Sequence, residues 1–340
     1  MNASAMPLAG LLARLEGLAQ KALALWDLPP NPRVTLLNVS ENTTWLVCAD
    51  GGFRAVMRVH RAGYHTRRAI ESELDWIAAL ARDEVIATPG LRRGRDGEMI
   101  QSCAIDGLAA PRFVVMFDYI PGVQPVETGD LGAHFVGLGA MAARMHEHAM
   151  SWARPAGFER LTWDVEAVFG PRATWGNWRD APHVDAAVRL VLEGAERRIR
   201  TRLTAYGKGR DKYGLIHADM RLANLLIDGG STRLIDYDDC GFGWFMYDFA
   251  AAISFIETDP AIPALKAAWL RGYRGIRALS AADEGEIDTF IMLRRMALLA
   301  WIGSHAEAPE PQAMAPHFAA ATAHLAERWL SRESACATTP

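Results

Sequence analysis

The sequence predicts an α+β fold in which a β-rich N-terminal part precedes a mainly helical C-terminal part. Three observations predict it. Residues 33–59 alternate β-formers with turn residues, and apolar stripes at helical spacing dominate after residue 130. One β-rich stretch, "GLIHADMRLANLLIDGGSTRLIDYDDCGFGWFMYDF" from Gly214 to Phe249, interrupts the helical part.

The elements follow in order. Leu11, Leu15, Leu18, Ala22 and Leu25 recur at helical spacing and predict an amphipathic first helix. Arg14, Glu16 and Lys21 break its apolar run and no basic start precedes it, so neither a signal peptide nor a membrane span is expected. A β-meander comes next: a strand to about Val39, a second through Trp45 to Cys48, an Asp-Gly-Gly turn, and a third from Phe53 to Val59. A helix is expected from about Thr66 to Ala81, then a strand over "RFVVMF", then a hinge at Pro121 and Gly122.

Beyond the hinge, Leu131, Phe135, Leu138, Ala142 and Met145 form one stripe, and Val184, Val188, Val191, Ala195 and Ile199 another. Ser280 with Asp283 reads as a capping box opening a long helix through Trp301. The quoted stretch is the sole β interruption expected in this half.

Composition bounds the partners. Half of the 340 residues are apolar, enough for a sizeable core, and a net charge of -4 without a basic block points away from nucleic acid and anionic membranes. A small-molecule partner is expected. Cys48, Cys103, Cys240 and Cys336 are scattered without CxxC spacing, which disfavours a zinc site or a disulfide framework and fits a reducing cytoplasm.

Within the quoted stretch, Leu225–Ile227 and Leu234–Ile235 flank "DGGST" and predict a β-hairpin. A turn centred on Gly230 sets Asn224 opposite Asp236, and a one-residue slip would separate them. Asp219 and Asn224, five apart, would point about 140° away from each other on a helix, so the segment between must loop if they converge. Two carboxylates and a carboxamide so placed offer hard oxygen ligands for Mg²⁺ and leave one carboxylate for an attacking hydroxyl, a division suited to phosphoryl transfer.

"LIHADMRLANLLI" followed by "LIDYDD" resembles the H-x-D-x-x-x-x-N and strand-I-D pattern of the aminoglycoside phosphotransferase and choline kinase-like group, relatives of protein kinases that include type II homoserine kinases. The resemblance implies a two-lobed protein kinase-like fold: a nucleotide-binding N-lobe over residues 1–117, a hinge over 118–122, a catalytic and substrate-binding C-lobe over 123–332, and a flexible tail over 333–340. It implies ATP and Mg²⁺ as cofactors. Asp219 would be the catalytic base, His217 would brace its loop, Asn224 and Asp236 would hold the metal, and Asp248 would tie down the loop backbone. In the N-lobe, Ser40, Glu41 and Asn42 would tip the loop over the nucleotide, and Asp118 and Ile120 would offer backbone groups to adenine. Arg58 stands where the family carries a phosphate-gripping Lys, a departure, and Glu73 matches its ion-pair partner.

Only eleven residues separate Asp236 from Asp248, too few for a peptide-docking activation segment, and Ala218 stands where protein kinases carry an Arg. A small hydroxylated acceptor is therefore expected: an amino alcohol, a homoserine-like amino acid, a sugar or an antibiotic. A Ser/Thr protein kinase of the same fold and a non-catalytic nucleotide-binding module are the alternatives. Trp152, Trp163, Trp175, Trp178 and Trp244 are expected mainly to pack between helices. Arg294, Arg295 and His305 could line an anionic pocket, but a solvated helix face is the expectation. His146 and His148, two apart on a helix, are not expected to share a metal.

Overall fold

The computed structural model describes residues 8–125, 131–228 and 231–337, and the chain divides into two compact units. One unit comprises the residues up to Asp83 with Ala87–Pro121 and Arg154–Glu159; the other comprises Glu84–Ile86, Gly122–Ala153 and the chain from Arg160 on.

The first unit begins with helix α1 (Leu8–Ala22). Strands β1 (Arg33–Val39), β2 (Thr43–Ala49) and β3 (Phe53–Val59) form the expected antiparallel meander, with a register irregularity between Leu36 and Asn38. Helix α2 (Arg67–Arg82) starts where Thr66 Oγ1 accepts the Ala69 N–H at 2.9 Å, filling one of the donors that a helix start leaves open. Strands β4 (Leu91–Arg92) and β5 (Gln101–Cys103) both pair antiparallel with β6 (Arg112–Asp118), which completes the sheet beside β3. Alternate residues Trp45, Val47, Ala55, Met57, Val114 and Met116 point to one face and meet Leu15, Leu18 and Ala22 of α1. Each such fully buried large side chain contributes about 1.5–3 kcal/mol.

The second unit holds α3 (Leu131–Ser151), β7 (Leu161–Trp163), α4 (Val165–Phe169) and α5 (Ala186–Tyr206). Strand β8 (Tyr213–Ile216) precedes the hairpin of β9 (Leu225–Asp228) and β10 (Ser231–Leu234), and β11 (Gly241–Trp244) follows. The helices α6 (Tyr247–Ala252), α7 (Ile262–Arg274), α8 (Ala281–Gly285), α9 (Ile287–Ser304) and α10 (Pro309–Ala337) complete it. Glycines let α3 and α7 approach closely: a Cβ on Gly272 would lie 1.9 Å from the Val136 carbonyl oxygen, and one on Gly139 2.0 Å from that of Trp269. Trp163, Trp175, Trp178 and Trp244 are buried and pack in this unit as expected.

Several expectations are corrected. The quoted stretch is not the only β structure of the helical half, since β7, outside it, joins β11 in parallel. The Ser280 capping box forms, but it opens only the short α8; Arg202 grips Glu286 through both carboxylate oxygens, and α9 starts afresh at Ile287. Arg294 and Arg295 are not on a solvated face. Helix α9 is covered on nearly every side, and the two arginines are 1% and 4% exposed. Helix α10 continues to Ala337, past the start of the expected tail, and residues 338–340 lie outside the described residues. No helix among the described residues is long and apolar enough to cross a membrane.

Candidate active site

In the second unit, the turn after β8 carries His217, Ala218 and Asp219. Ala218 has φ +64°, a left-handed conformation that non-glycine residues adopt only when their surroundings hold them there. Asp248, fully buried in the first turn of α6, provides that hold: its Oδ1 accepts the Ala218 N–H at 2.7 Å and its Oδ2 the His217 N–H at 3.3 Å. The tethering role expected for Asp248 is what these contacts perform. His217 is also fully buried and its Nδ1 accepts the Asp219 N–H at 3.3 Å, the bracing contact expected of it. Burial pushes the His217 pKa below its ordinary value against the pull of Asp248 and Asp219, so the ring is neutral and its Nδ1 lone pair is available.

His146, which the sequence suggests only as half of a rejected metal pair, supports this loop from α3. His146 Nε2 lies 2.9 Å from Asp248 Oδ2 and its Nδ1 lies 3.0 Å from the Tyr273 hydroxyl. Its pKa is also depressed, by burial first, with the Asp248 hydrogen bond opposing. A neutral imidazole then donates from Nε2 to the carboxylate and accepts the phenol proton at Nδ1.

Asp219 and Asn224 meet as expected because a 3₁₀ turn over Leu222–Asn224 bends the chain back. Asn224 Nδ2 donates to the Asp219 carbonyl at 2.9 Å and to Asp219 Oδ2 at 2.7 Å. A carbonyl can only accept, so the amide nitrogen must face Asp219 and the amide oxygen is the atom turned away. The hairpin register differs from the expected one. Asp228 pairs with Ser231 and Leu225 with Leu234, and the Ile235 N–H donates to the Asn224 carbonyl at 3.0 Å. Asn224 therefore stands opposite Ile235, one place short of Asp236. The turn centre expected at Gly230 lies outside the described residues. Asp236 leaves the ladder with φ +62° and an exposed side chain, so its direction is set by that backbone turn and not by cross-strand pairing.

The largest departure is Arg294. Its Nη2 lies 2.6 Å from Asp219 Oδ1, its Nε donates to Ser254 Oγ at 3.0 Å, and its guanidinium carbon sits 5.1 Å from the Trp175 ring centre. Burial opposes its charge, but Tyr247, Asp219 and Asp239 more than offset that and hold its pKa above the usual arginine value. Arg221 adds a longer contact, Nε to Asp219 Oδ2 at 3.5 Å, while its Nη1 pairs with Glu310 at 2.8 Å. His305 is half-buried and its Nδ1 is shared between Ser304 Oγ and the Trp301 carbonyl.

The first unit holds the other candidates. Arg58 Nη2 pairs with Glu73 Oε1 at 2.6 Å, with side chains 5% and 0% exposed, so the expected partnership of β3 with α2 exists with Arg in place of Lys. Ser40 gives its N–H to the Asn42 carbonyl at 2.9 Å, and Asn42, 7% exposed, accepts the Arg61 N–H on Oδ1 at 3.0 Å. These contacts shape the β1–β2 loop, and Asn42 is a buried brace instead of a tip residue. Asp118 ends β6 in register with Ala55, with its N–H on the Gly90 carbonyl at 2.8 Å and its carboxylate on Arg92 at 2.6 Å. Ile120 follows, half-buried.

Comparison with known proteins narrows the chemistry. Residues 33–281 match the phosphotransferase enzyme family. A solved microcompartment-associated aminopropanol kinase is 44% identical, with a TM-score of 0.85 over 93% of this chain and 98% of that one. A structure of amicoumacin kinase with AMP-PNP, Ca²⁺ and Ami has a TM-score of 0.75 at 21% identity, over 93% of this chain and 96% of that one, a likeness of fold. The amicoumacin kinase of Bacillus subtilis is 27% identical over 237 residues, 66% of this chain and 66% of its own. The chain belongs to the phosphotransferase enzyme family: it is a small-molecule kinase of protein kinase-like fold, with an alcohol group as acceptor.

Proposed function

We propose that this kinase transfers the γ-phosphoryl group of ATP, with Mg²⁺, to the hydroxyl of a small amino alcohol of the aminopropanol type. The observation that carries the acceptor class is the 44% identity, over nearly the whole of both chains, to an aminopropanol kinase. The short chain between Asp236 and Asp248 also favours a small acceptor. It forms β11, paired on both sides, and the start of α6, and so provides no long segment for docking a peptide.

Asp219 is the group that meets the acceptor. Its side chain is 14% exposed, and Oδ1 keeps a lone pair beyond the one engaged by Arg294. It orients the acceptor hydroxyl and takes its proton as the new P–O bond forms and the bond to ADP breaks. Asn224 and Asp236 are the residues that would hold the metal. The Asn224 amide oxygen, turned away from Asp219, and the exposed Asp236 carboxylate are hard donors of the kind Mg²⁺ takes, with water and phosphate oxygens filling the remaining positions. Mg²⁺ would there neutralise charge on the phosphate oxygens during transfer. Arg58, aimed by Glu73, is the phosphate-gripping side chain of the first unit. Backbone groups of Asp118 and Ile120 are the adenine contacts.

The test is ADP formation with ATP and Mg²⁺ across amino alcohols, homoserine, sugars and aminoglycosides, with Asp219→Asn alongside. Amino alcohols are expected to give acceptor-dependent turnover that vanishes with EDTA and in the variant. Turnover confined to another acceptor class, or unaffected by Asp219→Asn, overturns the reading.

A further inference from the structure

We propose that Arg294 is the positioning residue for the catalytic carboxylate: a buried guanidinium, fixed at its other end by Ser254, that locks Asp219 in the orientation needed to receive the acceptor hydroxyl. The proposal rests on the role of Asp219 given above and deepens it.

Asp219 is held by two side-chain hydrogen bonds, with Arg221 Nε a longer 3.5 Å from Oδ2. One comes from Asn224, whose amide also belongs to the group that would bind metal, so its hydrogen bond to Oδ2 is exposed to whatever the metal does. The other comes from Arg294, whose contact at 2.6 Å is with Oδ1, on the side of the carboxylate away from the Asn224 bond. The Arg294 side chain has little freedom of its own. The residue is 1% exposed on a helix packed nearly all round, its Nε is fixed by Ser254 Oγ at 3.0 Å, and the Trp175 and Tyr247 rings lie 5.1 and 5.9 Å from its guanidinium carbon. Two nitrogens of one rigid plane thus connect the Ser254 hydroxyl to Asp219, and the carboxylate inherits the rigidity of α9.

Stability alone is a poor explanation for such an arrangement. Withdrawing a guanidinium from water is costly, and apolar residues of similar volume serve a core as well or better. The neighbouring arginine makes the contrast. Arg295 is also buried and paired, with Glu257 at 2.6 Å and with Thr322 at 2.9 Å, but none of its contacts reaches the 217–224 loop. The two arginines therefore separate a positioning function from a packing function on one helix.

The experiment compares Arg294→Met, Arg294→Lys, Arg294→Ala and Arg295→Met in the full chain, reading kcat, KM for ATP, nucleotide binding and Tm, with aminopropanol as acceptor. For Arg294→Met we expect kcat to fall about 100-fold, the cost of a loosened reacting group, with KM for ATP changed by less than about twofold. Arg294→Lys keeps the charge without the planar fork and is expected to lose most of the same activity, which decides the matter if Arg294→Met does not fold. Added guanidinium ion is expected to restore part of the activity of Arg294→Ala. Arg295→Met is expected to lower Tm while the folded protein keeps its kcat. Full kcat in Arg294→Lys and Arg294→Met, or equal loss of kcat in Arg294→Met and Arg295→Met, overturns the proposal. If the wild-type protein turns over no acceptor, the functional reading fails separately, and a crystal structure of Arg294→Met then decides on positioning: an Asp219 carboxylate in its present orientation overturns it, and a reoriented one supports it.

Discussion

His146 Nε2 donates to Asp248 Oδ2 at 2.9 Å, and the same carboxylate accepts the backbone N–H groups of His217 and Ala218. A histidine in the middle of α3 therefore helps to hold the loop that presents Asp219, through an acid 102 residues away in sequence.

That relationship carries a pH dependence. Both His146 and His217 have pKa values pushed by burial below the ordinary 6.5, so the folded chain binds these two protons more weakly than the unfolded chain. Their contribution to stability is complete above that value and is lost as the pH falls towards the depressed folded values, by up to about 1.4 kcal/mol per pH unit for each ring. Denaturant melts are expected to show stability declining below pH 6.5. His146→Leu is expected to cost about 1.5–3 kcal/mol at neutral pH, because a hydrogen bond to a buried charge is lost, and to flatten the acid decline. An unchanged slope in His146→Leu would remove this histidine from the account.

Substitution of Asp219 separates chemistry from stability. Asp219→Asn is expected to lower kcat by about 10²–10⁴-fold with nucleotide binding retained, since the base acts on the acceptor. Asp219→Ala is expected to add a second effect. Both variants remove the counter-charge of Arg294, but Asp219→Ala also removes the hydrogen-bond acceptor and leaves the buried guanidinium unpartnered at that end, which costs about 1–3 kcal/mol beyond Asp219→Asn. The Asp219 side chain is 14% exposed, so the lower end applies. A Tm for Asp219→Ala well below that of Asp219→Asn is the expected outcome, and equal Tm values would mean that Arg294 finds another partner or water.

The sequence made the catalytic stretch legible because its information is local. His217, Asp219 and Asn224 lie within eight residues of one another, and a loop followed by a strand is enough to bring them together. The meander and α2 were readable for the same reason, with Asp-Gly-Gly as a turn. Register was less accessible, because shifting one hairpin pairing moved Asp236 off the position opposite Asn224, and no residue in the strands themselves fixes that choice. Arg294 and His146 could not be placed, since each acts across 75 and 102 residues respectively. An arginine in a strongly apolar helix, "IMLRRMALLAWI", is nevertheless a signal: a charge inside such a run must find a partner if the helix is buried.

The contact between α3 and α7 predicts an unusual sign for a glycine substitution. Replacing glycine by alanine in a helix interior ordinarily gains up to about 1 kcal/mol. At Gly272 the new methyl would meet the Val136 carbonyl oxygen at 1.9 Å, and a backbone atom cannot swing away as a side chain can. Gly272→Ala is expected to destabilise by about 1–3 kcal/mol, the cost of overpacking, with a lower Tm as the readout. A neutral or raised Tm would show that the two helices can separate at no cost.

Glu73 is the last test, because it isolates the departure at Arg58. The pair joins β3 to α2 at 2.6 Å, with Glu73 fully buried, and Arg58 also lies 5.3 Å from the Phe117 ring centre. Glu73→Gln keeps the shape and removes the charge, leaving a buried guanidinium opposite a neutral amide. We expect about 3–5 kcal/mol of lost stability, and a raised KM for ATP because Arg58 is no longer aimed. Arg58→Lys retains the charge but gives up the planar contact with Glu73, so it is expected to weaken nucleotide binding while destabilising the chain less than Glu73→Gln does. ATP titrations and melts of the two variants distinguish the roles: if Arg58→Lys binds ATP as tightly as the wild type, only the charge at this position matters, whereas full ATP affinity in Glu73→Gln would make the pair a structural strut of the first unit.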